Sequence, residues 1–167
     1  MPRSTYLTLA LAAVLLPATA HAVIIPLSAS MDCAQANAGL GTCGAGGTGT
    51  GTASITLDTA TNLLSWNVSW SGLSGADFLA HFHGPALPSQ NAGVQVGIGI
   101  PSPRIGNAVL GAGQVNDLLA GLWYLNIHST TFNGGEIRGQ VVPEPATLLL
   151  IAAGLVGLAA ARRQRIG

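Results

Sequence analysis

His81 and His83 flank Phe82 in the segment Phe78-Leu79-Ala80-His81-Phe82-His83. Side chains of a strand alternate with period two, so both imidazoles project from one face while Phe82 turns to the other. In Leu122-Trp123-Tyr124-Leu125-Asn126-Ile127-His128 the same alternation groups Tyr124, Asn126 and His128 against Trp123, Leu125 and Ile127. In Glu136-Ile137-Arg138-Gly139-Gln140 the polar set is Glu136, Arg138 and Gln140. If these three segments are neighbours, His81, His83 and His128 converge, with Glu136 or Asp77 available as a fourth ligand or as an orienting hydrogen-bond partner. Three imidazoles with a carboxylate or a water suit Zn(II) or Cu(II). The competing reading is a solvated sheet face whose histidines bond loop backbone, and the sequence leaves both open. Glu136 and Arg138, two apart on one strand face, are expected to pair with each other.

Other chemistry fares worse. The chain contains no lysine, which removes Schiff-base and pyridoxal chemistry and the P-loop. It has no G-x-S-x-G elbow, and its carboxylates are too few and scattered to nominate a glycosidase pair. Gly44-Ala45-Gly46-Gly47-Thr48-Gly49 fits G-x-G-x-x-G, yet a strand follows it where a dinucleotide site needs a helix. Charged residues are only 7% of the chain and the formal net charge is zero. No basic block lies outside the extreme C-terminus, so nucleic acid is not an expected partner.

The elements that must position the histidines are short strands. From Thr52 the chain alternates, with Ala53, Ile55 and Leu57 against Thr52, Ser54 and Thr56. A turn at Asp58 to Asn62 follows, then Leu64, Trp66, Val68 and Trp70 on one face, which reads as an antiparallel hairpin. Further strands are expected at Phe78 to His83, Gly93 to Ile100, Leu122 to Ser129 and Glu136 to Val142. A short helix is expected at Gln114 to Ala120, closed by Gly121. Six or seven short strands give an all-β antiparallel sandwich or barrel. Cys33 and Cys43 lie within a Gly, Ala and Asn-rich stretch, and in an oxidising compartment their even number favours a disulfide.

Both ends of the chain read as addresses. Arg3, an apolar run from Tyr6 to Leu16, Pro17 and Ala20-His21-Ala22 form the three parts of a secretory signal peptide. Signal peptidase would cut after Ala22. At the other end Pro143-Glu144-Pro145 precedes sixteen uncharged residues, Ala146 to Ala161, and then Arg162-Arg163-Gln164-Arg165. Such a run gives about 24 Å of helix, a marginal span with its arginines held in the cytoplasm. Val142-Pro143-Glu144-Pro145, the short span and the arginine cluster together resemble a PEP-CTERM sorting signal. That resemblance implies a Gram-negative bacterium that secretes polysaccharide, transient anchoring in the inner membrane through the C-terminal helix, and recognition and cleavage by exosortase. The expected organisation is a signal peptide (1–22), a β domain (23–142) and a sorting signal (143–167). The β domain carries five acids and two bases.

The order of features in the β domain resembles the CHRD domain. The matching blocks are Gly51-Thr52-Ala53, Leu57-Asp58, Ser71-Gly72-Leu73, Ala80-His81-Phe82-His83-Gly84-Pro85-Ala86, Asp117-Leu118-Leu119-Ala120-Gly121, Trp123-Tyr124-Leu125-Asn126-Ile127-His128 and Gly134-Gly135-Glu136-Ile137-Arg138-Gly139-Gln140. The resemblance implies an immunoglobulin-like β-barrel similar to copper-zinc superoxide dismutase, without an established general activity. The Cys33 to Gly49 segment departs from the family pattern, and the first strand is expected near Ile24 to Ala29. No further His or Asp set marks a second metal, so dismutase activity is not carried over and no catalytic residue is assigned. Two functions remain. One is a non-enzymatic surface or matrix module that binds a protein, a glycan or extracellular polysaccharide; the other is a copper or zinc protein built on His81, His83 and His128.

Overall fold

Alternation of apolar with small polar residues sets the strands, and glycine, proline and asparagine set their ends. In the computed structural model the described residues are 23–38, 43 and 46–145. The expected signal helix and the expected transmembrane helix over 146–161 lie outside them. Among the described residues no helix is long and apolar enough to cross a membrane. In chain order the elements are β1 (Ile24–Asp32), α1 (Cys33–Ala38), β2 (Thr50–Asp58), β3 (Leu63–Ser71), β4 (Asp77–His83), β5 (Val94–Gly97), β6 (Arg104–Val109), α2 (Ala112–Leu119), β7 (Tyr124–Ser129), β8 (Ile137–Gln140) and β9 (Val142–Pro143).

The strands form one curled antiparallel sheet in the order β5-β4-β7-β8-β1-β2-β3-β6, with β9 also on β1. The fold is therefore all-β, and the three histidine-bearing or polar strands β4, β7 and β8 are neighbours. β1 joins the two halves of the sheet. It pairs with β2 from Ile24↔Asp58 to Asp32↔Thr50, and its other edge meets β8 at Asp32↔Arg138 and β9 at Leu27↔Pro143. The β2–β3 hairpin turns through Asn62 at φ 55°, a left-handed conformation that asparagine tolerates. Curling brings Leu27, Ile55, Leu57, Leu64, Trp66 and Val68 from one half against Phe82, Leu125, Ile127 and Ile137 from the other. Trp66 meets Phe82 edge to face at 5.4 Å across this core. Each large side chain fully buried there stabilises the domain by roughly 1.5–3 kcal/mol.

Several boundaries differ from those expected of the sequence. β1 continues to Asp32, whose carboxylate accepts the Gln35 backbone N–H at 2.8 Å and the Gln35 side-chain amide at 3.0 Å. This capping pair starts α1, a helix absent from the sequence expectation. Cys33 and Cys43 form a disulfide, with 5.7 Å between their Cα atoms. The strand expected over Gly93 to Ile100 shortens to β5, and β6 is present as an edge strand with Ile105 and Val109 exposed. The last expected strand splits into β8 and β9. β9 takes in Pro143, and Glu144 N–H donates to the Pro26 carbonyl at 3.0 Å. The first residues of the sorting segment thus lie along β1.

Candidate metal centre

Antiparallel pairing of β4 with β7 places His81 opposite Asn126, His83 opposite Tyr124 and Leu79 opposite His128. Direct partners share a face, so the three imidazoles stand together on the side of the sheet away from Phe82 and Leu125. The regular register from Leu79↔His128 to His81↔Asn126 sets His128 diagonally beside His81. Ring centroids are 5.4 Å apart for His81 and His128, 5.6 Å for His81 and His83, and 6.2 Å for His83 and His128. One ligand nitrogen from each ring lies within 4.8 Å of the other two. A tetrahedral ion with bonds near 2.0 Å holds its nitrogens about 3.3 Å apart, so the rings would have to close in on an ion bound among them.

Two loops cover much of this face, burying His83 and His128 and leaving His81 half-buried. His83 Nδ1 lies 3.0 Å from the Ala92 carbonyl and His128 Nδ1 lies 2.7 Å from the Asn133 carbonyl. A carbonyl only accepts, so both rings carry their proton on Nδ1 and offer the Nε2 lone pair. Backbone carbonyls fix metal-binding histidines in this way. The buried Nε2 of His83 and Nδ1 of His81 have no hydrogen-bond partner, and His128 Nε2 faces only the Asn126 amide at 3.5 Å. Gly135, at φ 120°, lets the second loop approach so closely that a Cβ would collide with the Asn126 side chain. Tyr124 stacks on His83 at 5.0 Å with 9° between planes, and its hydroxyl bonds Ala92.

The carboxylates named from the sequence serve elsewhere. Glu136 is fully buried and its Oε1 accepts the Ser74 N–H at 2.7 Å and the Ser74 hydroxyl at 2.9 Å. Burial pushes its pKa up, but hydrogen bonds from Ser129, Ser74 and Gly49 outweigh this and hold the carboxyl below its usual value. Asp77 accepts the indole N–H of Trp70 at 3.0 Å. Neither belongs to the group of close ligand atoms, which consists of the three histidines. The expected Glu136–Arg138 pair is absent too. Arg138 donates to the Gln90 and Leu87 carbonyls and to Asn91 Oδ1, and lies over the Tyr124 ring. Spacing along β8 carries no signal for these loop contacts.

Burial, and then the charge of His128, lower the pKa of His81; burial lowers that of His83 despite the bond to Ala92. His81 and His83 are therefore neutral bases at neutral pH. In the metal-free domain the unfolded chain takes up protons first as pH falls below the ordinary histidine value of about 6.5. Stability contributed by these two residues is fully present above that pH and is lost as pH falls toward their lowered folded values. Urea denaturation of chelator-treated protein should show a falling midpoint from pH 7 to pH 5; a midpoint that rises over this interval contradicts the neutral cluster.

The profile of the CHRD domain matches residues 27–141. The chain belongs to the CHRD domain family. A second profile, the PEP-CTERM protein-sorting motif, matches residues 141–164. The motif implies export of this CHRD protein, processing by exosortase and surface or membrane-associated sorting in a Gram-negative bacterium. No curated protein and no solved structure gave a match. Within the CHRD domain the His81-Phe82-His83 strand and the Tyr124 to His128 strand, both among the blocks that carry the family resemblance, are the two that build the histidine cluster.

Proposed function

We propose that this CHRD domain is a non-enzymatic metal-binding module, holding copper or zinc on His81, His83 and His128 outside the cytoplasm. The observation that supports it best is the pair of buried imidazole nitrogens without hydrogen-bond partners, on rings that together with His128 bring one ligand atom each within 4.8 Å of the others. A buried polar atom left unpaired costs about 1–3 kcal/mol, and a bound cation removes that cost. Orphaned nitrogens fit the metal reading and fit a merely polar sheet face poorly. The ion would be held as a Lewis acid or one-electron carrier, while the chain's own loops fix the rings and shield them from water.

The register of β1 relates this centre to the sorting signal. Asp32, Arg138, Asn126 and His81 are successive partners across β1, β8, β7 and β4. Pro26, six residues earlier on β1, holds Glu144, so roughly 20 Å of strand separates the two levels. Removal of both terminal segments is tested by mass: Glu144→Ala should leave the protein unsorted and carrying its tail, and normal release of a shortened product would contradict exosortase processing.

A second reading, contact with extracellular polysaccharide or a surface protein, draws on the groove of about 460 Å³ over β1 to β3, lined by the hydroxyls of Ser30, Thr52 and Ser69, by Trp70 and by the carboxylate-bearing Asp32. Metal analysis of the purified domain separates the two, since only the first requires an ion.

A further inference from the structure

Arg138 lies beside the histidine cluster and is 2% exposed. Its hydrogen-bond partners are neutral: the Gln90 carbonyl at 2.8 Å, Asn91 Oδ1 at 3.0 Å, the Leu87 carbonyl at 3.2 Å and Gln140 Oε1 at 3.4 Å. No carboxylate stands among them, so its charge is solvated by dipoles and not cancelled. The guanidinium carbon sits 3.5 Å from the Tyr124 ring centroid, and the other neighbour of that ring is His83, nearly parallel to it. β7 runs between β4 and β8, so Tyr124 is sandwiched between the imidazole and the guanidinium.

The donors of the cluster are three neutral imidazoles, and both nearby carboxylates are engaged by Ser74 and Trp70. Among the described residues no carboxylate joins the donor set to offset an incoming ion. Repulsion from a fixed positive charge acts twice as strongly on a dication as on a monocation in the same place, and low local polarity magnifies the difference. Zinc has no monovalent form and prefers a fourth ligand, whereas a +1 copper ion is served by neutral nitrogen donors.

We infer that the centre is a copper site biased toward the cuprous state, and that Arg138, through its stack on Tyr124 and His83, is the positioning residue that sets this bias. The inference rests on the metal reading above. The couple is Cu(II) plus one electron giving Cu(I), with the electron supplied in the cell by an external one-electron donor.

The test is a mediated potentiometric titration of the copper-loaded mature protein, comparing wild type with Arg138→Met and Arg138→Lys. Arg138→Met should lower the midpoint by at least about 59 mV, a tenfold fall in the ratio of Cu(I) to Cu(II) affinity. Arg138→Lys, which keeps the charge, should stay close to wild type. Equal shifts in both variants, or no shift in either, overturn the role of Arg138. Should Arg138→Met fail to fold, wild type decides alone. Under reducing conditions, copper retained against a tenfold excess of zinc supports the inference, and displacement by zinc overturns it. A protein that takes up neither ion fails earlier, at the metal reading itself.

Discussion

His83→Ala is expected to lower copper or zinc affinity at least about a hundredfold while leaving the metal-free domain folded. Outer partners of metal ligands already cost 10–100-fold when removed, and a ligand costs more. Of the three rings His83 is the best prepared to ligate, because its Nδ1 proton is tied to Ala92, its plane is held by Tyr124, and its Nε2 is buried with no partner. Alanine removes one hydrogen bond and one stacking contact, worth together about 1–2 kcal/mol, but also removes an unpaired buried nitrogen. The net change in stability should therefore be small. Competition titration with a chromophoric chelator measures the affinity, and far-ultraviolet circular dichroism reports the fold. Wild-type affinity in a folded His83→Ala variant would show that these rings do not form the site.

The second large effect is on stability. Phe82 sits between the two histidines of β4, fully buried on the opposite face, against Trp66 at 5.4 Å and Trp123 at 6.0 Å. Phe82→Ala should cost about 3–5 kcal/mol, since the aromatic walls around it belong to two packed sheet halves that cannot easily collapse. For a domain of this size the loss in Tm is on the order of 10–20 °C. Because the same strand carries His81 and His83, saturating metal should restore part of the loss, by binding the folded state alone. Differential scanning calorimetry with and without metal reads both. A variant that melts within a few degrees of wild type would place Phe82 outside the core that supports the cluster.

Much of this arrangement is legible in the residues. Period-two alternation puts His81 and His83 on one face and Phe82 on the other, and does the same for Asn126 and His128 against Ile127. It also gives the β2–β3 hairpin, whose in-register pairing runs from Thr50↔Ser71 to Asp58↔Leu63. What alternation cannot give is strand order, because adjacency of β4, β7 and β8 is fixed by contacts distant in sequence. Nor can it reveal cover. Residues 84–92 and 130–135 fold over part of the histidine face and hold His83 and His128 through the Ala92 and Asn133 carbonyls, groups that any residue type carries. β6 escapes a sequence reading because its face is not hydrophobic in a regular pattern; as an edge strand it pairs on one side and exposes Ile105 and Val109. Asp32 followed by Gln35 is a readable capping signal for α1. Glu136 bonds Ser74 and not the histidines or Arg138, a choice made by the loop after β3 that spacing within β8 does not contain.

The most direct test is elemental analysis of residues 23–145, the β domain extended through β9, which carries the described strands and the disulfide. It should be exported to the periplasm and purified without a histidine tag. The account predicts one copper or zinc ion per chain, retained through dialysis and lost when His81, His83 or His128 is replaced by alanine. A folded domain that emerges without metal, and whose melting temperature does not move when copper or zinc is added, would contradict it.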